Sequence, residues 1–344
     1  MSVITAPAPA LGRRSFLGLA GAGLLALPAL SAAAEPRRYA IGFAAPTLDP
    51  GTRLEGLGFT GADVRASFVL AARELSVDMV FYDNDRNRDK TLANAEAAVA
   101  RKLDLYIQYC DDAGANIEIG KRLKAAGIPV IAITYPVPGA PLYGPDNALA
   151  GRMAGEALAR FANTTWRGRP AAVAIVGDLG NAGDHVPERV DALAAALREQ
   201  LPGAAQTRFD STGNPAQAEG MVRRFAAAQP GKKLLIAALD DTTALMAKAA
   251  VEAEGRMPDT AIVSQGCDRS VHGGSNDKKE IDPNNRGSIL IGSVGYFLDR
   301  YGYEVLPLAL KLLRGEPVPP HTTTRHVLVT AANVFALYPP IDMN

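Results

Sequence analysis

Between Gly127 and Phe161 the chain reads GIPVIAITYPVPGAPLYGPDNALAGRMAGEALARF, and this stretch narrows the possible folds more than any other. Residues 129–134 are apolar, rich in β-branched side chains and too few for a helix, which predicts a strand buried on both faces, as in a parallel sheet. Tyr135 and the turn Pro136-Val-Pro-Gly139 end it. A second extended piece, 142–144, leads to Asp146-Asn147, whose side-chain oxygens can cap a helix that turns Ala148, Met153, Ala157, Leu158 and Phe161 inward. A buried strand, an exposed tip, a crossing and a new helix are the parts of a hinge between two lobes.

The same alternation runs through the rest of the chain. Strand-like segments at 39–45, 77–82, 105–109, 171–176, 206–210, 234–238, 262–266, 288–294 and 326–330 are separated by helical patterns. This predicts an α/β architecture of two doubly wound, Rossmann-like lobes, with any ligand at the carboxyl ends of the strands. A chain of 344 residues is long enough for two domains, each with its own core. The expected division is 35–145 plus 297–323 for the first lobe and 146–296 plus 324–344 for the second.

Residues 1–34 read as a targeting segment. Arg13-Arg14-Ser15-Phe16-Leu17-Gly18 has the twin-arginine pattern, an apolar stretch follows, and Ala32-Ala33-Ala34 is a small-residue cleavage site. The apolar stretch is about a dozen residues, short of the roughly 20 a membrane span needs. Export to the periplasm is the expectation. Basic and acidic residues number 36 each and form no basic stripe, so a nucleic-acid partner has no electrostatic footprint. Cys110 and Cys267 follow predicted strand ends in different lobes; a bond between them would clamp the lobes, so free thiols are expected.

Several motifs invite sharper readings. Gly56-Leu-Gly58-Phe-Thr-Gly61 satisfies G-x-G-x-x-G, and Asp83 follows at a distance suited to a ribose-binding acid. This keeps an exported nucleotide-dependent oxidoreductase as an alternative, but the glycines stand well beyond the strand end that the fingerprint requires. The run 83–89 alternates acids without the Gly and Glu of a calcium loop and reads as a solvated turn with a helix cap. The four histidines share no ligand spacing, there is no Cys-x-x-Cys and no Gly-x-Ser-x-Gly elbow, so neither a metal, a cofactor nor a catalytic group is expected.

The strand Gly127-Ile-Pro-Val130 and the stretch Pro145-Asp-Asn-Ala-Leu-Ala-Gly151 resemble the "GIPV" and "SDN-x-x-x-G" segments of the type I periplasmic substrate-binding proteins. That sugar-binding family is related to ribose- and galactose-binding proteins and to the effector domains of LacI-type repressors. The resemblance extends over about residues 38–338. It implies a monomeric binding protein that closes on a sugar or sugar-like solute and presents it to the membrane permease of an ABC importer. A partner that is a membrane sensor or chemoreceptor is the alternative.

Site residues follow from the same resemblance. Gln108 aligns with a side chain that hydrogen-bonds ligand hydroxyls. Thr134 and Tyr135 stand where pentose and hexose binders often carry an Asp-Arg pair, which implies a ligand unlike ribose. Arg189 matches a cleft arginine, with Asp184 and His185 beside it. Asp240 takes the place of a ligand-binding Asn, with Asp241 as helix cap. Asp268 matches the Asp of a "G-F-D" strand end, and Tyr296 a contact on the return crossing. Acids at strand ends also serve as plain caps and turns, and Arg189 could be a helix-surface charge. The first-strand loop departs from the family through an insertion-like run at 52–58, and the polar loop 269–286 has no assigned role.

Overall fold

The structure is a computed structural model that describes residues 38–167, 169, 171–180, 186–273 and 279–339. The targeting segment, Asp184, His185 and part of the 269–286 loop lie outside the described residues.

The first sheet is assembled from β1 (Tyr39–Ala45), β2 (Val77–Asp83), β3 (Leu105–Gln108), β4 (Val130–Ile133) and β5 (Leu142–Gly144). Between them run α1 (Gly61–Leu75), α2 (Arg88–Ala100) and α3 (Ala113–Ala125). Each helix starts where a short polar side chain satisfies the free amides of the first turn. Thr60 and Asp63 exchange bonds in a capping box for α1, Asn87 caps α2 from within the polar 83–89 run, and Asp112 caps α3.

The second sheet follows α4 (Asn147–Phe161), which Asp146 caps by accepting from the Leu149 amide. Its elements are β6 (Ala171–Gly177), α5 (Val186–Gln200), β7 (Ala205–Asp210), α6 (Pro215–Ala227), β8 (Lys233–Ala238), α7 (Asp241–Ala253), β9 (Thr260–Gly266) and β10 (Leu290–Gly295). Then come α8 (Tyr301–Leu313), β11 (His321–Thr323), β12 (Val327–Val329) and α9 (Val334–Leu337). The cap of α7 is Asp240, which accepts from the Thr243 amide, and not Asp241, which is the first helical residue and fully buried.

The sheet orders are β11-β5-β4-β3-β1-β2 and β12-β10-β9-β8-β6-β7. The pairings are parallel except β12 against β10. The chain reverses its direction of travel between β1 and β3 in one sheet and between β6 and β8 in the other, and such switch points are where α/β sheets bind ligands. The backbone passes between the sheets three times: after β5, after β10 and between β11 and β12. On the second passage α8 returns to the first sheet's helices, with the Gly302 amide donating to Ser67 Oγ at 2.9 Å.

One side chain ties the three passages together. His326 Nε2 accepts from the Asp146 amide at 3.0 Å, and His326 Nδ1 lies 3.0 Å from the Gly295 carbonyl. An Nε2 that accepts leaves the proton on Nδ1, so this pair of bonds needs the neutral ring. Burial, first among the influences on it, pushes the His326 pKa down and favours that form.

Candidate functional site

The loop from β1 to α1 builds the first wall. Asp49 turns it, accepting from the Gly51 amide at 3.1 Å and the Thr52 hydroxyl at 2.7 Å. Beyond that the chain doubles back: Arg53 bridges to Thr60 in antiparallel fashion, the Leu54 amide donates to the Phe59 carbonyl at 2.8 Å, and the Leu57 amide donates to the Leu54 carbonyl at 2.9 Å. Leu54, Leu57 and Phe59 are buried, each contributing roughly 1.5–3 kcal/mol through burial of apolar surface. The two residues at the tip, Glu55 and Gly56, both have positive φ, 56° and 64°, the signature of a type I′ turn.

Glu55 projects between the tips of β3 and β4. Its Oε1 accepts from the Tyr109 hydroxyl at 2.6 Å and its Oε2 from the Tyr135 hydroxyl at 3.1 Å. The two phenol rings stack with centroids 6.2 Å apart. Burial raises the Glu55 pKa, an effect opposed by the two phenol hydrogen bonds and by the positive charge of Arg189 across the gap.

The second wall is built from the hinge helix and the ends of β8 to β10. Arg189 is 4% exposed on α5; its Nε and Nη2 donate to Asn147 Oδ1 at 3.0 and 2.8 Å, and its guanidinium lies 4.8 Å from the centre of the Tyr296 ring. The Tyr296 hydroxyl donates to Gln265 Oε1 at 3.0 Å, and burial lifts its pKa to about 12. Asp241 sits beneath, accepting from the Ser264 hydroxyl at 2.5 Å, the Ser293 hydroxyl at 2.8 Å and the Asp268 amide at 2.7 Å. Burial first, then the charge of Asp268, pushes the Asp241 pKa well up. The Asp240 carboxyl is also raised by burial, against the pull of its two bonds from Thr243.

The walls touch. Arg53 Nη1 donates to Thr242 Oγ1 at 2.5 Å, and a Cβ on Gly266 would lie 3.6 Å from Leu57 Cδ2. Gly58 lies so close to the opposite wall that a Cβ there would stand 1.4 Å from Asp268 Oδ2. The glycine pattern at 56–61 is therefore explained by a tight turn and close approaches rather than by a phosphate. Gly61 opens α1 against the Thr47 carbonyl oxygen, 1.7 Å from where its Cβ would be.

Of the residues expected from sequence, Tyr135, Arg189 and Tyr296 gather around Glu55. Asp240 and Asp268 share the second wall with Asp241 and face Arg53 and Gly58. Gln108 donates to Asn116 Oδ1 at 3.1 Å, toward the helix that follows its strand, and its Oε1 is buried without a partner among the described residues. Thr134, at φ 61°, is buried with its hydroxyl in the same condition. Glu55, Tyr109 and Asn147 belong to the cluster and were not expected there; the sequence signal for Glu55 was the insertion-like run that carries it. Among the described residues no group of three or more His, Cys, Asp or Glu side chains is arranged to hold a metal. The two cysteines are both buried and unbonded.

Comparison with known proteins bears on this geometry. Three solved structures of ABC transporter solute-binding proteins resemble the chain in fold. The one from Actinobacillus succinogenes, with bound D-allose, has 17% identity and a TM-score of 0.67 over 86% of this chain and 98% of that one. One from Mycobacterium smegmatis, with bound glycerol, has 19% identity and a TM-score of 0.65 over 88% and 97%. One from Bacillus halodurans, with bound myo-inositol, has 18% identity and a TM-score of 0.64 over 87% and 97%. A search of curated protein sequences finds no match. The family model described as the periplasmic binding protein domain matches residues 59–317, most of the chain, which therefore belongs to that family.

Proposed function

We propose that the chain is the solute-binding protein of an ABC importer and that it holds a sugar or sugar-like polar small molecule between its two sheets. The observation that carries this reading is the meeting of the two walls. Loops from the carboxyl ends of β1, β3 and β4 bring Glu55, Tyr109 and Tyr135 to face Arg189, Tyr296 and the acids beyond β8 and β9. Carboxylates, phenols, amides and an arginine are the groups that match hydroxyls, while aromatic faces cover the C–H surface of a sugar ring. A solute that touches both walls binds the closed arrangement more tightly than the open one and so draws the lobes together. Binding and presentation to the permease complete the task without a catalytic step.

The division into lobes at about 145, 296 and 323 is supported by the strands that share each sheet and by the three passages between them. We assign the candidate contacts to Tyr135, Arg189, Asp240, Asp268 and Tyr296, with Gln108 and Thr134 shaping the first wall from beneath. Export through the twin-arginine segment to the periplasm and action as a monomer belong to the same reading.

A thermal-shift screen across sugars, polyols and related solutes tests it. A cognate solute at 100 times its Kd adds about 2.7 kcal/mol of stability and raises the Tm by several degrees. If no such solute shifts the melt while a nicotinamide dinucleotide does, the binding-protein reading fails.

A further inference from the structure

Glu55 differs from the other acids of the cleft in its support. It is carried by a turn rather than by a strand end or a helix. It holds a left-handed backbone conformation that costs a non-glycine residue roughly 1–2 kcal/mol, at a turn position dominated by Asn, Asp and Gly. Its carboxylate is drawn out of water between the Tyr109 and Tyr135 hydroxyls, with the guanidinium of Arg189 across the gap and the charge of Asp111 the weaker, opposing influence. The two phenols donate to it and the guanidinium, held by Asn147, adds its positive charge; all three stand outside the loop, at the tips of β3 and β4 and on α5. Together they form a receptor for a carboxylate, and the chain fills it with its own.

The surrounding turn is arranged for release. Leu54 and Leu57 anchor its two ends and are joined by their own hydrogen bond, whereas the tip between them is Glu55 and the exposed Gly56. A change of side-chain rotamer at Glu55 would withdraw the carboxylate while both leucines stay buried.

Building on the solute-binding reading above, we infer that Glu55 is a tethered stand-in for the ligand, and that the solute this cleft takes is an acidic sugar. A carboxylate-bearing polyhydroxy compound, an aldonate or a uronate, would displace Glu55 and place its own carboxylate between Tyr109, Tyr135 and Arg189. Its hydroxyls would then reach the acids of the second wall.

Isothermal titration calorimetry of the wild-type chain and Glu55→Asn tests this, with gluconate and glucuronate set against glucitol and glucose. Asn favours the same turn and cannot extend its side chain to the phenols, so the variant keeps the fold and vacates the receptor. The wild type is expected to bind an acid more tightly than its neutral counterpart. If Glu55 is docked about nine-tenths of the time, the variant gains about tenfold for the acid, and the ratio of acid to neutral affinity rises above that of the wild type. Circular-dichroism melts of both proteins verify that the variant is folded. Weaker acid binding in the variant would make Glu55 an ordinary wall contact and overturn the inference, as would a wild type that prefers neutral sugars; either result leaves the solute-binding reading standing. Absence of binding by every carbohydrate to both proteins would remove that reading and this inference together.

Discussion

Asp241 and Glu55 are both acids withdrawn from water beside the cleft, and in both burial is the first cause of a raised pKa. They are held by different means. Asp241 opens a 13-residue helix and accepts from Ser264 of β9, Ser293 of β10 and the backbone just past β9, so two of its three donors lie within strands. Glu55 sits at the tip of a two-residue turn and takes both of its bonds from phenols at strand tips. The second wall is thus a fixed surface, while the first includes a part that can be exchanged for a solute.

The largest effect should come from the rigid side. Asp241→Ala strands two hydroxyls and one amide in a buried site and should cost about 3 kcal/mol, read as a lower midpoint in urea denaturation. The charge-free Asp241→Asn sharpens the point through pH. Because folding raises the Asp241 pKa above its value of 3.8, the stability contributed by its protonated form is fully present below that pH and is lost as pH rises through the folded value. Midpoints for the wild type measured upward from pH 4 should include this loss, and the Asn variant should show a flatter profile. Identical profiles would mean that Asp241 is no more desolvated than an exposed carboxylate.

Next in size is the seam. Gly58→Ala places a methyl group where Asp268 Oδ2 now stands, and one side must move. A cost of roughly 1–3 kcal/mol is expected from such overpacking. The same variant should make the 53–58 loop more open to limited proteolysis. An unchanged midpoint and cleavage pattern would show that the walls do not meet in solution at this point, and the contrast between a fixed wall and an exchangeable one would lose its geometric basis.

The framework was legible in the sequence because its signals are local and strong. Short β-branched runs, polar caps such as the one in the 83–89 run and Asp146, and the turn at 136–139 each specify an element without help from the rest of the chain. Strand β11 was missed since three residues, His321–Thr323, are too few to show a period and follow two prolines; its pairing with β5 is what makes it a strand. The site was only half legible. Arg189 lies on α5, whose spacing fixes its direction, and Tyr296 directly follows β10. Glu55 lies in an insertion, and its place between Tyr109 and Tyr135 depends on where Leu54 and Leu57 find burial, a tertiary fact with no local pattern. The cap of α7 fell to Asp240 rather than Asp241 for a similar reason: neighbouring acids at a helix start are equivalent until the depth of each is known.

The smallest expected effects lie on the exchangeable wall, and they test its character most directly. Tyr109 is fully buried and bonds Glu55 at 2.6 Å, whereas Tyr135 is half-buried and bonds it at 3.1 Å. Tyr109→Phe should cost about 1.5 kcal/mol, within the range for a hydrogen bond to a charged group, and Tyr135→Phe less than about 1 kcal/mol. The double variant distinguishes a displaceable carboxylate from a fixed one. If the turn lets Glu55 leave once its better partner is gone, the second loss removes a bond that no longer exists, and the combined cost falls short of the sum by more than about 0.5 kcal/mol. Strict additivity would mean that Glu55 stays in place whatever its partners do, and the first wall would then be as fixed as the second.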